Sequence, residues 1–341
     1  MPILLLVVIE LESENLSQIA AAGFELHLAS DASERVKIIE TVGESIRAVL
    51  TNGSTGLDAK EIAALPKLEI ICALGAGYEK VDLAAAGARG IVVTNGPGTN
   101  DASVADHAMA LLMAIARGIV QADSAARSGE WARSRYPRPM ISGKKLGILG
   151  LGNIGEQIAR RGAGGFGMTV AYHNRKPRDG SPWVYLPSAT ALAQWSDFMV
   201  IATPGGATTT HLVDTTVLDA LGVDGFLINI ARGSVVDTAA LIDALENNRI
   251  RGAALDVIEG EPNIPSRAAR LKNLILTPQY CRPFARSCAS DCSTRSWQPG
   301  GAFQWTHGAD ARRLVPDYPS GGLQRSYREV AFLADILLSR L

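Results

Sequence analysis

A glycine-rich segment between a strand pattern and a helix pattern constrains this chain more than any other feature. The segment reads GLGNIG at residues 150–155, directly after the apolar run Leu146–Leu149 and at the start of the helical pattern Ile154–Phe166. In such a turn the first glycine permits a tight bend, the second lets the backbone approach a pyrophosphate, and the third lets the helix pack closely on the strand. The helix start also offers unpaired N–H groups to phosphates. In this context the motif predicts dinucleotide binding, whereas alone it would indicate only a tight turn.

The residues after the next predicted strand, Thr169–Tyr172, bear on the choice of dinucleotide. A carboxylate at this position would accept hydrogen bonds from the ribose 2′-OH of NAD. The sequence instead continues HNRK from His173 and has no carboxylate before Asp179. Arg175 and Lys176 suit a 2′-phosphate through charge-assisted hydrogen bonds, so the segment favours NADP(H) over NAD(H). A solvated basic loop is the alternative interpretation.

Strand patterns alternate with helix patterns along most of the chain. The predicted strands are Ile3–Ile9, Phe24–Ala29, Ala48–Thr51, Leu68–Leu74 and Ile91–Thr94, and then Leu146–Leu149, Thr169–Tyr172, Phe198–Ala202, Phe226–Ile230, Ala253–Val257 and Leu274–Leu276. Such alternation indicates parallel sheets covered by helices, with a ligand crevice at the carboxyl ends of the strands. The long apolar helix pattern Ala102–Arg117 separates the two series, and 341 residues are enough for two domains.

The charge balance argues against nucleic acid or an anionic membrane as a partner. The chain has 33 Lys and Arg against 34 Asp and Glu, for a net charge of −1. The apolar run Ile3–Ile9 is stopped by Glu10, which makes it too short for a membrane span, and it lacks the cationic start of a signal peptide. We therefore expect a cytoplasmic protein that binds small molecules.

Candidate functional residues follow the later strands of the second series. Thr203 and Pro204 would border the nicotinamide half of the crevice. Arg232, within NIARG, is placed to grip a carboxylate with both arms of its guanidinium, rather than to form a surface salt bridge. Asp256 and Glu261 could serve a cofactor amide and an acid–base relay respectively, although isolated acids are more often surface charges.

Together these motifs resemble the D-2-hydroxyacid dehydrogenase family, most closely its NADPH-dependent glyoxylate/hydroxypyruvate reductase branch. The matching stretches, in family order, are Ala73–Asp82, Thr94–Arg117, Lys145–Gly155, Tyr172–Arg175, Ala202–Leu212, Asn229–Asp237 and Leu255–Pro262. The resemblance implies an α/β fold of two domains. A Rossmann-type doubly wound parallel sheet would occupy residues 99–280, and a flavodoxin-like substrate domain would combine residues 1–98 and 281–341.

The resemblance also implies residue roles. Arg232 would bind the substrate carboxylate and polarise the keto oxygen, Glu261 would hold and charge a catalytic imidazole, and Asp256 would bind the nicotinamide carboxamide. Further substrate contacts would come from the backbone of Gly75, Ala76 and Gly77. Dinucleotide contacts would come from Gly150, Gly152, Asn153, Ile154, Gly155, His173, Asn174, Arg175, Lys176, Thr203, Pro204, Ile230, Ala231 and Asp256. The implied enzyme is a homodimer that transfers hydride from NADPH, with NADH as a possible substitute, to a 2-keto acid such as glyoxylate or hydroxypyruvate, giving a D-2-hydroxy acid.

The sequence departs from the family at the catalytic histidine. The family pattern after the last strand is T-P-H, whereas this chain has Thr277-Pro278-Gln279. A glutamine can donate a hydrogen bond to a keto oxygen but cannot release a proton near pH 7. We therefore expect impaired reduction, and an NADP(H)-binding pseudoenzyme or redox-sensing interaction protein is the alternative function.

The resemblance also stops after Pro278. Codons can be chosen for residues 279–290 such that removing one base from the first codon gives His-Ile-Ala-Gly-Arg-Ser-Pro-Glu-Ala-Val-Arg-Ala, which resembles the family's continuation. A second stretch, Gln298 to Thr306, becomes family-like in the same frame. These matches favour the hypothesis of a one-base frameshift at codon 279, in the gene or in its sequencing, over a genuinely divergent tail.

Four cysteines do not form a recognisable metal site. Cys72 lies in an apolar run and is expected in the core. The spacing C-x6-C-x3-C of Cys281, Cys288 and Cys292 matches no common zinc pattern, so we expect no bound metal.

Overall fold

The computed structural model describes residues 2–29, 31–75, 77–96, 98, 100–132 and 135–279. These residues divide into two compact units, one within Met1–Asn100 and the other within Asp101–Arg282. The expected return of residues 281–341 to the substrate domain, the family-like reading of the tail and the three downstream cysteines fall outside the described residues.

Helices and strands alternate along both units. The first unit contains β1 (Ile3–Val7), α1 (Ser13–Ala21), β2 (Phe24–Leu28), α2 (Ala32–Val42), β3 (Ala48–Asn52), α3 (Ala59–Ala63), β4 (Ile70–Leu74), α4 (Leu83–Ala88) and β5 (Val92–Asn95). The second unit contains α5 (Asp101–Arg117), α6 (Ile119–Arg127), β6 (Lys145–Leu149), α7 (Asn153–Phe166), β7 (Thr169–His173), β8 (Val184–Tyr185), α8 (Ala189–Trp195), β9 (Phe198–Ile201), α9 (Thr215–Leu221), β10 (Phe226–Asn229), α10 (Thr238–Glu246), β11 (Gly252–Leu255), α11 (Ser266–Ala269) and β12 (Leu274–Leu276).

The first unit is a five-stranded parallel sheet in the order β2-β1-β3-β4-β5, which is the flavodoxin-like order. Alternation along β1 sends side chains to opposite faces of this sheet. Leu5 belongs to a buried cluster with Ile19 of α1, whereas Leu6 belongs to another with Ile62 of α3. Both faces are therefore covered, as a parallel sheet requires.

The second unit is a seven-stranded parallel sheet in the order β12-β11-β10-β9-β6-β7-β8. The strand order reverses between β6 and β9, as in a Rossmann sheet, and the crevice at this switch point is where dinucleotides bind in such sheets. Leu112 of α5 and Ile158 of α7 pack on one face, and Leu218 of α9 and Leu241 of α10 pack on the other. The predicted two-domain α/β fold is confirmed.

The sequence did not indicate β8. This strand has two residues, and it exists because Ala171 and Tyr172 of β7 pair with Val184 and Tyr185. A two-residue strand has no periodicity of its own, so it depends on a neighbour that a local pattern cannot reveal.

Most helices of the sheet connections begin at a short polar side chain that accepts a backbone N–H bond. These caps are Asp31, Asp58, Asp82, Ser188, Asp214 and Asp237. Helix α7 differs, because its N-cap is Gly152 and no described side chain caps it. The N–H groups of its first turn are thus left for another acceptor.

No single helix within the described residues has the length and apolar composition needed to cross a membrane. By those two criteria alone, α5 and α6 qualify only as a pair, and they are bent by 59° at the break between them.

Candidate active site

The glycine turn after β6 has the shape that a dinucleotide pyrophosphate requires. A Cβ at Gly150, whose φ is +100°, would lie 2.6 Å from the Thr203 nitrogen, and a Cβ at Gly155 would lie 2.2 Å from the Gly150 oxygen. A Cβ at Gly152 would meet nothing within 4 Å. The outer glycines therefore allow close packing, while Gly152 borders open space beside the uncapped start of α7. These residues fit a bound dinucleotide.

The residues after β7 divide into a structural part and an exposed basic part. The Asn174 Oδ1 accepts a 2.7 Å hydrogen bond from the Leu151 nitrogen, so this side chain holds the glycine turn. His173 is also engaged, because its Nδ1 lies 2.8 Å from the Leu186 oxygen. Arg175 and Lys176 are exposed and form no ion pair with any described residue. Contact of these four residues with the cofactor stays a prediction.

Arg232 lies on a rigid turn after β10. Asn229 is fully buried at the end of that strand. Its Oδ1 accepts a 3.0 Å bond from the Ala231 nitrogen, and its Nδ2 donates a 2.9 Å bond to the Arg232 oxygen. A Cβ at Gly205 would lie 2.8 Å from the Arg232 Cγ, so this glycine makes room for the arginine stem. Asn229 was not among the predicted site residues, although a polar residue at the end of an apolar strand was a usable signal.

The Arg232 turn packs on the turn that leads to Glu261. A Cβ at Gly233 would lie 2.3 Å from the Ile258 carbonyl carbon, so the two backbones touch. The Ile258 nitrogen donates a 3.3 Å bond to the Glu261 Oε2. This contact brings together two strand ends that are 29 residues apart in sequence, from Arg232 to Glu261.

Gln279 occupies the place where an imidazole–carboxylate pair is expected. Its Nε2 donates a 3.0 Å hydrogen bond to the Glu261 Oε1. The Gln279 backbone is left-handed, with φ 50°. Its backbone nitrogen donates a 2.9 Å hydrogen bond to the backbone oxygen of Asp256. Because a carboxylate only accepts, this bond fixes the amide with its NH₂ group toward Glu261. The catalytic roles of Arg232, Glu261 and Gln279 stay predictions.

Asp256 is fully buried, so its interpretation as a surface charge is wrong. Its Oδ1 lies 3.0 Å from the His107 Nε2 and accepts a hydrogen bond from the Thr277 hydroxyl. The His107 Nε2 also lies 3.1 Å from the Thr277 Oγ1. A buried carboxylate needs such partners, because its desolvation is otherwise too costly. The position of His107 in an apolar helix pattern did not identify Asp256 as its partner.

A second histidine, His211, pairs with a carboxylate on the turn that leads to Glu261. The His211 Nε2 lies 2.7 Å from the Glu259 Oε1, and the Glu259 Oε2 accepts a 3.1 Å bond from the Thr238 nitrogen. The hydrogen bond that the Glu259 carboxylate accepts from His211 raises the pKa of His211 above its ordinary value. This pair ties the segment that follows Thr203 and Pro204 to the turn that carries Glu261.

The predicted substrate loop belongs to the first unit. Gly75 follows β4 with φ +82°, and its oxygen accepts a 2.8 Å bond from the Gly96 nitrogen. A Cβ at Gly53 would lie 2.5 Å from the Gly77 carbonyl carbon, so these backbones pack without side chains. Ala76 lies outside the described residues. Carboxylate binding by this loop stays a prediction.

Among the described residues no group of three or more His, Cys, Asp and Glu side chains could hold a metal ion. Cys72 is a core residue, as expected, and burial raises the pKa of its thiol to about 11. Such a thiol stays protonated near neutral pH and is therefore unreactive.

Comparison with known proteins identifies relatives of this site. Residues 109–280 match the family model described as D-isomer specific 2-hydroxyacid dehydrogenase, NAD binding domain. The chain is 43% identical over 246 residues to glyoxylate/hydroxypyruvate reductase A of Arabidopsis thaliana, covering 72% of this chain and 78% of that one. It is 42% identical over 241 residues to 2-ketogluconate reductase of Gluconobacter oxydans, covering 70% and 77%.

A solved structure supports the same relationship. The protein in that structure is an NADPH-dependent glyoxylate/hydroxypyruvate reductase of Sinorhizobium meliloti, in complex with NADP and malonate. The identity is 36% and the TM-score 0.77, over 86% of this chain and 91% of that one. The expected enzyme class, an oxidoreductase with an NAD(P)-binding Rossmann domain, is confirmed. This chain belongs to the D-isomer specific 2-hydroxyacid dehydrogenase family.

Proposed function

We propose that this protein uses NADPH to reduce glyoxylate, hydroxypyruvate or a similar 2-keto acid to a D-2-hydroxy acid, with slow turnover. The observation that carries the proposal is the 3.0 Å hydrogen bond that Gln279 donates to Glu261. The turn that leads to Glu261 packs against the turn of Arg232. A guanidinium can bind the carboxylate of a keto acid and a hydrogen-bond donor can stabilise its oxygen, whereas the lack of a proton donor accounts for the slow turnover. The Arabidopsis and Sinorhizobium relatives are named for glyoxylate and hydroxypyruvate, in support of this substrate class.

The chain's own residues bind and orient the substrate in this proposal. When bound, the reduced nicotinamide supplies a hydride to the keto carbon. Arg232 grips the substrate carboxylate and polarises the keto oxygen. In this proposal the Gln279 amide, which donates one N–H to Glu261, also donates to the keto oxygen. The amide keeps its proton, so the alkoxide that develops takes its proton from water.

A binding protein with little catalysis is the second candidate, and Gln279 is the residue that favours it. One assay separates the two candidates. NADPH oxidation is followed with glyoxylate and with hydroxypyruvate, and NADPH binding is measured on the same sample. Slow turnover with tight binding supports the reductase. Binding with no turnover above the uncatalysed rate supports the NADP(H)-binding pseudoenzyme.

We predict that Arg175→Ala weakens NADPH binding about tenfold or more and leaves NADH binding nearly unchanged. A hydrogen bond to a charged group contributes about 1.5–3 kcal/mol, and about 1.4 kcal/mol corresponds to a tenfold change in affinity. Arg175 is exposed and has no ion-pair partner among the described residues, so it is available to a 2′-phosphate. Fluorescence titration with both dinucleotides measures the effect. Equal weakening of NADH and NADPH would contradict NADPH selectivity through Arg175.

A homodimer is also part of the proposal. The second unit exposes apolar side chains on α6 and on the segment that follows it. These are Ile119, Val120, Trp131, Tyr136 and Met140, exposed by 52–69%. Where such side chains form one contiguous patch, they mark a protein contact, and the proposal assigns them to the subunit interface. Sedimentation velocity should give twice the chain mass of 36.0 kDa, and a monomer at micromolar concentration would contradict the dimer.

We also propose a cytoplasmic location, which fractionation of cells expressing the tagged protein would test.

A further inference from the structure

The segment between β7 and β8, residues 174–183, is held to α7 by one carboxylate. The Trp183 Nε1 donates a 3.1 Å hydrogen bond to the Glu156 Oε2, and the Arg178 Nη1 lies 3.6 Å from the same oxygen. Glu156 lies in the first turn of α7, and its side chain is only 13% exposed. We call Glu156, Arg178 and Trp183 the Glu156 latch.

Two tyrosines of the flanking strands also hold this segment, at its start and at its middle. The Arg178 nitrogen donates a 2.8 Å bond to the Tyr172 hydroxyl, and the Tyr185 hydroxyl donates a 3.4 Å bond to the Asn174 oxygen. The rings of Tyr172 and Tyr185 meet edge to face, with centroids 5.6 Å apart. The backbone path from Asn174 to Trp183 is therefore set by contacts with β7, β8 and α7.

The basic side chains of the segment fall into two groups according to whether they contact Glu156. Arg178 is directed to Glu156, whereas Arg175 and Lys176 are exposed and form no ion pair with the described residues. Arg178 therefore helps to hold the segment on α7, and Arg175 and Lys176 remain available to an anionic ligand. A carboxylate in the first turn of α7 would repel phosphates bound there, and its pairing with Arg178 and Arg160 offsets that charge.

We propose that Glu156 and Trp183 are positioning residues for cofactor selectivity. They hold residues 174–183 in the conformation that presents Arg175 and Lys176 to the 2′-phosphate of NADPH. This inference rests on the proposed NADPH-dependent function. The latch contributes to selectivity by ordering the segment before the ligand arrives, since a preordered loop loses less conformational entropy on binding.

The test is Trp183→Phe, which removes the ring N–H and changes no charge. The expected result is a three- to tenfold fall in the ratio of NADPH to NADH affinity, measured by titration without substrate. The isolated 2′-phosphate group is probed with 2′-AMP, whose affinity should fall by the same factor. Arg160→Gln is the matched control. Arg160 is 73% exposed and binds the Glu156 Oε1 from within α7, so its loss should change both dinucleotide affinities alike.

Limited trypsin digestion of the free protein reports on the segment directly. Cleavage after Arg175 and Arg178 should be several-fold faster in Trp183→Phe than in the wild type, and unchanged in Arg160→Gln. A wild-type protein that prefers NADPH, together with a Trp183→Phe ratio within twofold of it, would overturn the latch alone. A wild-type protein that binds neither dinucleotide would overturn the proposed function and, with it, this inference.

Discussion

Replacing Gln279 with histidine is expected to raise kcat for NADPH-dependent glyoxylate reduction by up to about 10²-fold. A positioned general acid contributes about 10²–10⁴-fold, and Gln279 has no proton to give. The gain should fall short of the full factor, because an imidazole misplaced by about 1 Å can lose on the order of 10²-fold. Stopped-flow or steady-state oxidation of NADPH measures it, with hydroxypyruvate as the second substrate.

The new imidazole should leave a pH signature that the wild type lacks. Reduction needs the protonated ring, so kcat of Gln279→His should be full at low pH and should fall as pH rises through the imidazole pKa, ordinarily about 6.5. Adding Glu261→Gln to this variant should lower the pKa of the imidazole and move the fall to lower pH. Wild-type turnover equal to that of Gln279→His would show that Gln279 or a bound water does the work assigned to the acid, and the mechanism would be wrong.

The frameshift hypothesis makes a further distinction within this experiment. Removing one base at codon 279 would restore the histidine and also change every residue after it. If the hypothesis is right, that protein should turn over faster than Gln279→His, because the downstream chain is restored together with the acid. Equal turnover of the two proteins would favour a genuinely divergent tail.

Arg232→Ala should lower kcat/KM for glyoxylate by about 10²–10⁴-fold in the Gln279→His background. Two hydrogen bonds to a charged carboxylate are worth about 3–6 kcal/mol together, at about 1.5–3 kcal/mol each. Arg232→Lys should lie between, since it keeps the charge but loses the two-armed geometry. NADPH affinity should stay within about twofold of the parent in both variants.

Arg251→Ala is the control for this loss of charge. Arg251 is 45% exposed and pairs with Asp224 at 2.7 Å. It precedes β11, at the opposite end of the strands from Arg232. Its removal should leave kcat/KM unchanged. An Arg232→Ala variant that retains parental kcat/KM for glyoxylate would show that the substrate carboxylate binds elsewhere.

The sequence indicated candidate site residues where a feature is local to one strand end, and the roles of these residues stay predictions. The glycine turn, Arg232, Glu261 and Gln279 each follow an apolar strand, and parallel strands bring such ends to one edge of a sheet. The fold followed from the same alternation of strand and helix patterns. The sequence therefore indicated mainly those candidate site residues that belong to short motifs.

The remaining features depend on contacts between distant segments. His107 and Asp256 are 149 residues apart, and Trp183 and Glu156 are 27 apart. No periodicity links such pairs, because their meeting depends on how helices pack on the sheet. His107 therefore had no predicted partner, and the pairing of Arg178 with Glu156 was not predicted either.

The left-handed backbone at Gln279 bears on how readily this site can change in evolution. Non-glycine residues seldom adopt φ near 50°, and histidine is enriched several-fold among those that do. The position thus keeps a conformation that suits histidine while holding glutamine. Glutamine and histidine codons differ only in the third base. A single point mutation would therefore place an imidazole beside Glu261 without remaking the turn, so one step supplies the acid and only its fine position remains to be refined.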